Sequence, residues 1–237
     1  MHKTIAVLAG DGIGPEIITE AIKVLQAVAE KYHHSFTYEH ALMGAVAIDE
    51  TGNPLPDKTL EICKSSDAIL FGAIGDPKYD NDPNAKVRPE QGLLALRKAF
   101  NLFCNVRPVT IYDSLIDSSP LKRNRIEGVD LVIYRELTGG IYFGEKKEMN
   151  DKGVASDLCT YSKEEILRVA HLAFKAAGKR KNKLTLVDKA NVLASSRLWR
   201  SVVTDLHSSE YKDVELDFLF VDNAAMQMVL NPAQFDV

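Results

Sequence analysis

Short apolar runs, each followed by a turn and then a helical pattern, recur along this chain and leave it few folds to choose from. The runs are T-I-A-V-L at residues 4–8, A-I-L-F at 68–71, L-T-L-V at 184–187 and L-D-F-L-F-V at 216–221. Such runs read as strands buried on both faces, and strands alternating with helices favour an α/β layer architecture. After the first run, Gly10-Asp11-Gly12-Ile13-Gly14 turns and Pro15 opens a helix to about Lys31, with Glu16 in its first turn where the helix dipole favours an acid. Residues 35–40 read as a strand, 57–64 as a helix, 90–100 as a helix, and 102–107 and 130–135 as strands. Residues 72–88 hold Gly, Pro, Asp and Asn without period and read as a long loop. Residues 138–144, T-G-G-I-Y-F-G, read as a turn into an extended aromatic segment, and Ser162 with Glu165 forms a capping box for a helix to about Ala177. The texture changes near 103–108, which places the boundary between a first domain, 1–103, and a second, 104–237, with an arm near 136–160.

At 237 residues and 46% hydrophobic composition the chain can bury a sizeable core. A net charge of −4 with no basic run longer than Lys179-Arg180-Lys181-Asn182-Lys183, read as a solvated turn, argues against nucleic acid as a partner. No stretch approaches the length of a membrane span. Three scattered cysteines, Cys63, Cys104 and Cys159, fit neither a zinc site nor a disulfide framework and suit a reducing cytoplasm.

The segment E-Q-G-L-L-A-L-R-K-A-F-N-L-F-C-N-V-R, residues 90–107, carries the clearest chemistry. Glu90, Leu93, Leu94 and Arg97 share one helix face at i, i+3, i+4 and i+7. Two readings stand on spacing alone. Either the leucines are core and Arg97 snorkels along its stem, or the face reads a ligand with a branched alkyl end and an anionic end. Arg107, Arg135, Lys189 and Asp222 each stand at the C-terminal end of an expected strand, where open α/β sheets bind ligands. Arginines suit carboxylates, a lysine in a dry site can serve as a base, and a carboxylate suits a hard divalent cation. The spacing G-x-G-x-G at 10–14 is not the dinucleotide fingerprint.

Six collinear motifs then take on a common look: L-A-G-D-G-I-G-P-E (8–16), R-P-E-Q-G-L-L-A-L-R (88–97), N-V-R-P (105–108), R-E-L-T-G-G-I-Y-F-G (135–144), V-D-K-A-N-V-L (187–193) and V-D-N-A-A-M-Q (221–227). Together they resemble the isocitrate/isopropylmalate dehydrogenases, a family of β-decarboxylating dehydrogenases, and within it the isopropylmalate branch. The resemblance implies a two-domain α/β fold distinct from the Rossmann fold. It implies oxidative decarboxylation of 3-isopropylmalate to 2-oxoisocaproate, in leucine biosynthesis, with NAD and Mg²⁺ or Mn²⁺. Related 2-hydroxy acids (tartrate, malate, homoisocitrate) are the alternative substrates, and a non-catalytic anion-binding role is the alternative function. It further implies that Arg97, Arg107 and Arg135 hold the carboxylates and that Leu93, Leu94 and Val192 hold the isopropyl group. Tyr142 and Lys189 would be the acid–base pair, and Asp222 would touch substrate and ligate the metal. Glu90 and the loop of Gly75, Asp76, Pro77, Lys78 and Tyr79 would face the nicotinamide half of NAD. A cytoplasmic homodimer is implied, with Lys189 and Asp222 serving the partner's site. This chain departs from the family pattern at Ala9, usually Pro, and at Asp76, usually Gly. The family also runs on past the position of Val237, which implies C-terminal truncation and a chain inactive by itself.

Overall fold

The computed structural model describes residues 1–82 and 85–237. The chain divides into two compact units, Met1–Phe100 and Asn101–Val237, each described here by itself.

In the first unit, β1 (His2–Gly10), α1 (Gly14–Tyr32), β2 (Ser35–His40), α2 (Ala45–Thr51), α3 (Asp57–Ser65), β3 (Ala68–Ala73), α4 (Pro77–Asp80) and α5 (Pro89–Ala99) follow in order. The sheet is parallel with β1 at its centre, pairing Ile5 with Tyr38 of β2 and with Ala68 of β3. A central strand must bury both faces, and β1 does so by alternation. Ile5 and Val7 pack with Ile18 of α1, while Ala6 and Leu8 pack with Met43, Leu55, Cys63 and Leu96. Helix α1 ends at His33, whose φ of 54° lets His34 N–H return to the Ala29 carbonyl at 2.8 Å. The stretch read as a 72–88 loop contains a turn of helix, α4. Pro77 starts it and the Asp76 carboxylate caps it by accepting from Lys78 N–H at 2.9 Å. Residues 83 and 84 of that stretch lie outside the described residues.

In the second unit, β4 (Cys104–Thr110), α6 (Arg123–Ile126) and β5 (Asp130–Glu136) precede a short antiparallel hairpin, β6 (Lys146–Lys147) with β7 (Ser156–Asp157). Then come α7 (Lys163–Ala177), β8 (Lys183–Asp188), α8 (Ala194–Glu210), β9 (Glu215–Phe220) and α9 (Val221–Leu230). β4 and β5 are antiparallel, and β8 and β9 are parallel. Phe174, Ile166, Val203 and Leu206 bring α7 and α8 together over Leu184 of β8. The capping box of α7 forms, with Ser162 N–H donating to Glu165 Oε2 at 2.7 Å and Glu165 N–H to Ser162 Oγ at 3.2 Å.

Four expectations change here. Strand β4 runs through Pro108, because Pro108 lies opposite Val132 on a position whose missing N–H faces away from β5. Arg107 is therefore mid-strand. Residues 138–144 are compact, with a 3-10 turn at Gly140–Tyr142, because Glu136 accepts from Thr138 N–H at 3.0 Å and Gly139 N–H at 2.7 Å and folds the chain back. Asp222 sits in the first turn of α9, since the helix starts directly on Val221. The basic stretch 179–183 is an anchor more than a solvated turn. Arg180 binds Asp236 at 2.7 Å and Asp130 at 2.8 Å, and Lys183 bridges Glu215 and Asp217 at 3.0 and 2.8 Å. Among the described residues no helix is long and apolar enough to cross a membrane.

Candidate active site

The expected site residues fall into two groups, one in each unit. In the second unit, antiparallel pairing gathers the arginines. Asn105 of β4 lies opposite Arg135 of β5, and Arg107 opposite Ile133. Side chains two apart on a strand share a face, so Asn105, Arg107 and Arg135 do too. Arg107 Nε donates to Asn105 Oδ1 at 2.6 Å, which steers the guanidinium along β4 toward the position opposite Arg135. Asn105 was not singled out by sequence, although it stands in the same N-V-R-P motif. The guanidinium carbon of Arg135 sits 5.6 Å from the centre of the Tyr142 ring, a stacking distance.

Tyr142 is carried by the 3-10 turn that Glu136 organises. The Glu136 carboxylate, 1% exposed, is neutralised by Arg168 at 2.6 Å. Neither partner is legible from spacing, since they stand on a strand and a helix thirty-two residues apart.

Lys189 follows β8 on a turn that is fixed from several sides. Its N–H donates to Ser196 Oγ at 3.1 Å, and its carbonyl accepts from Val192 N–H at 3.0 Å and Leu193 N–H at 2.9 Å. The preceding residue, Asp188, is buried, accepts from Ala190 N–H and holds Arg200 with two bonds of 2.9 Å. A two-bonded guanidinium–carboxylate pair fixes geometry as well as charge. The Lys189 ammonium reaches Asp222 Oδ1 at 2.6 Å. That donation holds the Asp222 carboxyl below the usual carboxylate range. Val192 is exposed next to this pair in sequence and free to meet a ligand.

A cavity of ≈ 720 Å³ is lined by Arg135, Tyr142 and Lys189 together with apolar side chains from β5, β8 and α9. Three of the expected residues thus border one space within a single chain. Such a volume, apolar with a few convergent polar groups, is that of a small-molecule site.

In the first unit, α5 carries an exposed Glu90 and a half-buried Arg97, and its leucines divide. Leu96 is the fully buried one, Leu93 packs partly into the same core, and Leu94 is half-buried. Gly75 has φ +127°, and a Cβ placed there would lie 3.3 Å from Glu90 Oε1, so two of the expected cofactor contacts adjoin. Asp11, 6% exposed, fixes this corner by accepting from Ala45 N–H at 2.8 Å, Val46 N–H at 3.0 Å and Gly75 N–H at 3.0 Å. Its role was hidden in sequence because its donors are backbone groups far along the chain. Lys78 and Tyr79 both bond Asp49, Tyr79 at 2.8 Å, and the Arg88 guanidinium donates to the Tyr79 carbonyl at 2.7 Å. Asp76 is occupied in capping α4. The loop is thus braced on one side and offers a glycine backbone on the other, which suits contact with a bulky cofactor. A divalent cation is a different case. Among the described residues no group of three His, Cys, Asp or Glu side chains could hold a metal. Asp222 alone falls short of the six or so oxygen ligands Mg²⁺ requires.

These observations meet the comparisons with known proteins. A model of the isocitrate/isopropylmalate dehydrogenase family matches residues 4–237. The 3-isopropylmalate dehydrogenase of Bacteroides fragilis is 54% identical over 237 residues, which are 100% of this chain and 66% of that protein. That of Bacillus subtilis is 53% identical over 241 residues, again 100% of this chain and 66% of that protein. Among solved structures, an isocitrate dehydrogenase from Methylococcus capsulatus superposes with TM-score 0.84 at 30% identity, covering 100% of this chain and 66% of the other. A β-decarboxylating dehydrogenase from Thermococcus kodakarensis gives 0.72 at 31% identity, covering 99% and 63%. The chain spans about two thirds of the length of the curated relatives it matches. With the family model matched from residue 4 to residue 237 and relatives more than half identical along the whole chain, this chain belongs to the isocitrate/isopropylmalate dehydrogenase family.

Proposed function

We propose that this chain carries the substrate-reading and acid–base residues of an NAD-dependent decarboxylating dehydrogenase of 3-isopropylmalate in leucine biosynthesis. The observation that carries the reading is the β4–β5 pairing, which sets Asn105, Arg107 and Arg135 on one face with Arg135 against the Tyr142 ring, together with the Lys189–Asp222 bond. The dehydrogenases of Bacteroides fragilis and Bacillus subtilis, named for that substrate, support it.

Arg107 and Arg135, on one face of the β4–β5 pair, hold the carboxylates, and Arg97 of α5 is the third anion contact. Leu93, Leu94 and Val192 take the isopropyl group, with Glu90 beside it. Gly75, Asp76, Pro77, Lys78, Tyr79 and Glu90 would hold the nicotinamide half of NAD, which would supply the hydride acceptor for C2 of the substrate. Lys189 takes the proton of the C2 hydroxyl. An ammonium donating to a carboxylate is not a base, so the Lys189–Asp222 bond would have to open before Lys189 could take that proton. Loss of CO₂ from the resulting 2-oxo acid leaves an enol, and Tyr142 delivers a proton to its carbon. Asp222 would supply one ligand to Mg²⁺ or Mn²⁺, a cation that would supply Lewis-acid chemistry when bound. The functional unit is a cytoplasmic homodimer in which Lys189 and Asp222 serve the neighbouring copy. The exposed Val221, Met226, Val229 and Leu230 of α9 support a covered face.

Calorimetry of the purified chain against 3-isopropylmalate, isocitrate and tartrate tests the reading. Preferential binding of 3-isopropylmalate, lost by about tenfold or more in Arg135→Ala, is expected. Equal binding of all three acids, or none, overturns it.

A further inference from the structure

Arg200 of α8 reaches the ends of two strands at once. Its Nε and one terminal nitrogen each donate at 2.9 Å to Asp188, the last residue of β8, one to each carboxylate oxygen. The guanidinium carbon also stands 4.9 Å from the centre of the Phe218 ring and 5.4 Å from that of Phe220, both on β9. Asp188 and Phe220 are register partners across the parallel β8–β9 pair, and side chains two apart on a strand share a face. One planar group therefore closes the last rung of the ladder, forked to one strand and stacked on the other.

The Lys189–Asp222 bond lies directly beyond that rung. Lys189 follows Asp188, and Asp222 stands two residues past Phe220, in the first turn of α9. Lys189 Nζ is 5.9 Å from the centre of the Phe220 ring, so that ring meets both cations. Each cation has a carboxylate of its own. The Asp188 side chain is 3% exposed, and besides Arg200 it accepts from Ala190 N–H at 2.9 Å. Both its oxygens are thus engaged, and the Lys189 ammonium goes to Asp222 at 2.6 Å. Ser196, one helical turn before Arg200 on the same face of α8, accepts from Lys189 N–H at 3.1 Å. Two contacts from one helix face therefore hold the backbone of Lys189 and the side chain before it.

We propose that Arg200 is the positioning residue of the Lys189–Asp222 pair. By forking to Asp188 and stacking on Phe218 and Phe220, it locks the ends of β8 and β9 together, and this sets where the lysine ammonium meets Asp222. The catalytic meaning rests on the reading of Lys189 as the group that takes the substrate's proton, whereas the geometry belongs to the free chain. The demand is for shape as well as charge. Arg200→Lys still neutralises Asp188, but it offers neither a two-pronged fork nor a flat face for two rings.

The test reads the pair by NMR in the isotope-labelled chain, without substrate. The scalar coupling across the hydrogen bond, from Lys189 Nζ to the Asp222 carboxyl carbon, identifies the acceptor, and Lys189→Arg assigns the ammonium signal. In Arg200→Lys the coupling is expected to fall by about half or more, and the Lys189 ammonium protons to exchange with water about fivefold faster. Phe218→Leu removes one ring from Arg200 and leaves the buried Asp188 paired, so it is the milder variant, with exchange expected about twofold faster. Leu206→Ala, a buried position further along α8, is the control for loosened packing and is expected to keep the coupling. Full coupling in the folded Arg200→Lys chain overturns the proposal, and where that chain does not fold, full coupling in Phe218→Leu does. Equal loss in Leu206→Ala also overturns it, because it marks a general loosening of α8. Failure here leaves the proposed activity standing, and failure to bind 3-isopropylmalate leaves this geometry standing.

Discussion

At the scale of single residues, the Lys189–Asp222 pair joins the electrostatics to the chemistry. The Asp222 carboxyl is held below its ordinary range by the Lys189 ammonium. A depressed folded value means that the pairing is fully present above the ordinary carboxylate range and is lost only as pH falls through the depressed value. The carboxyl carbon of Asp222, followed by NMR, should therefore titrate below that of an unpaired aspartate, and Lys189→Met should move it back up. An unmoved titration in that variant would remove Lys189 as the cause. The two residues were each legible as charges near strand ends, because V-D-K and V-D-N follow buried apolar runs. Their bond was not, since it depends on α9 beginning at Val221 with no intervening turn. Asp11, Asn105 and Glu136 were illegible for a related reason. Each works through partners that only the fold brings near.

Elements were read well where periodicity and end signals agree. Residues 35–40 and the helix behind the Ser162–Glu165 box are examples, the latter running Lys163–Ala177. Ser162→Ala should lower stability by about 1 kcal/mol in urea denaturation, the usual cost of losing a hydroxyl cap. A change within error would mean that water or Glu165 replaces it. Elements were misread where one local residue gave the wrong cue. The strand read as 102–107 runs on through Pro108, whose missing N–H falls on the side of β4 away from β5. The turn at the glycines of 138–144 was legible, but the aromatic residues after it looked extended, whereas Gly140 at φ +72° opens a 3-10 turn that carries Tyr142. The α/β class survived these errors because it rests on long apolar runs, and local turn chemistry moves boundaries by only a few residues.

For the whole molecule, the two cores are built differently. The first unit closes around one central strand buried on both faces, whereas the second holds its strands as three separate pairs, β4–β5, β6–β7 and β8–β9. Apolar side chains remain exposed along α8 and α9, among them Leu198, Met226 and Val229. If the proposed homodimer covers α9, light scattering should give an apparent mass above the 26.3 kDa of one chain, falling toward it in Met226→Lys with Val229→Lys. A mass of one chain at every concentration would argue against that interface.

The clamp on Asp236 has a practical side for anyone handling the molecule. Its buried carboxylate ties Arg180 and the Lys181 N–H, and Arg180 also holds Asp130 at the start of β5. A label or insertion placed in the 179–183 turn would therefore loosen β5 and the approach to β8 together, where a label on the exposed Lys163 would disturb neither.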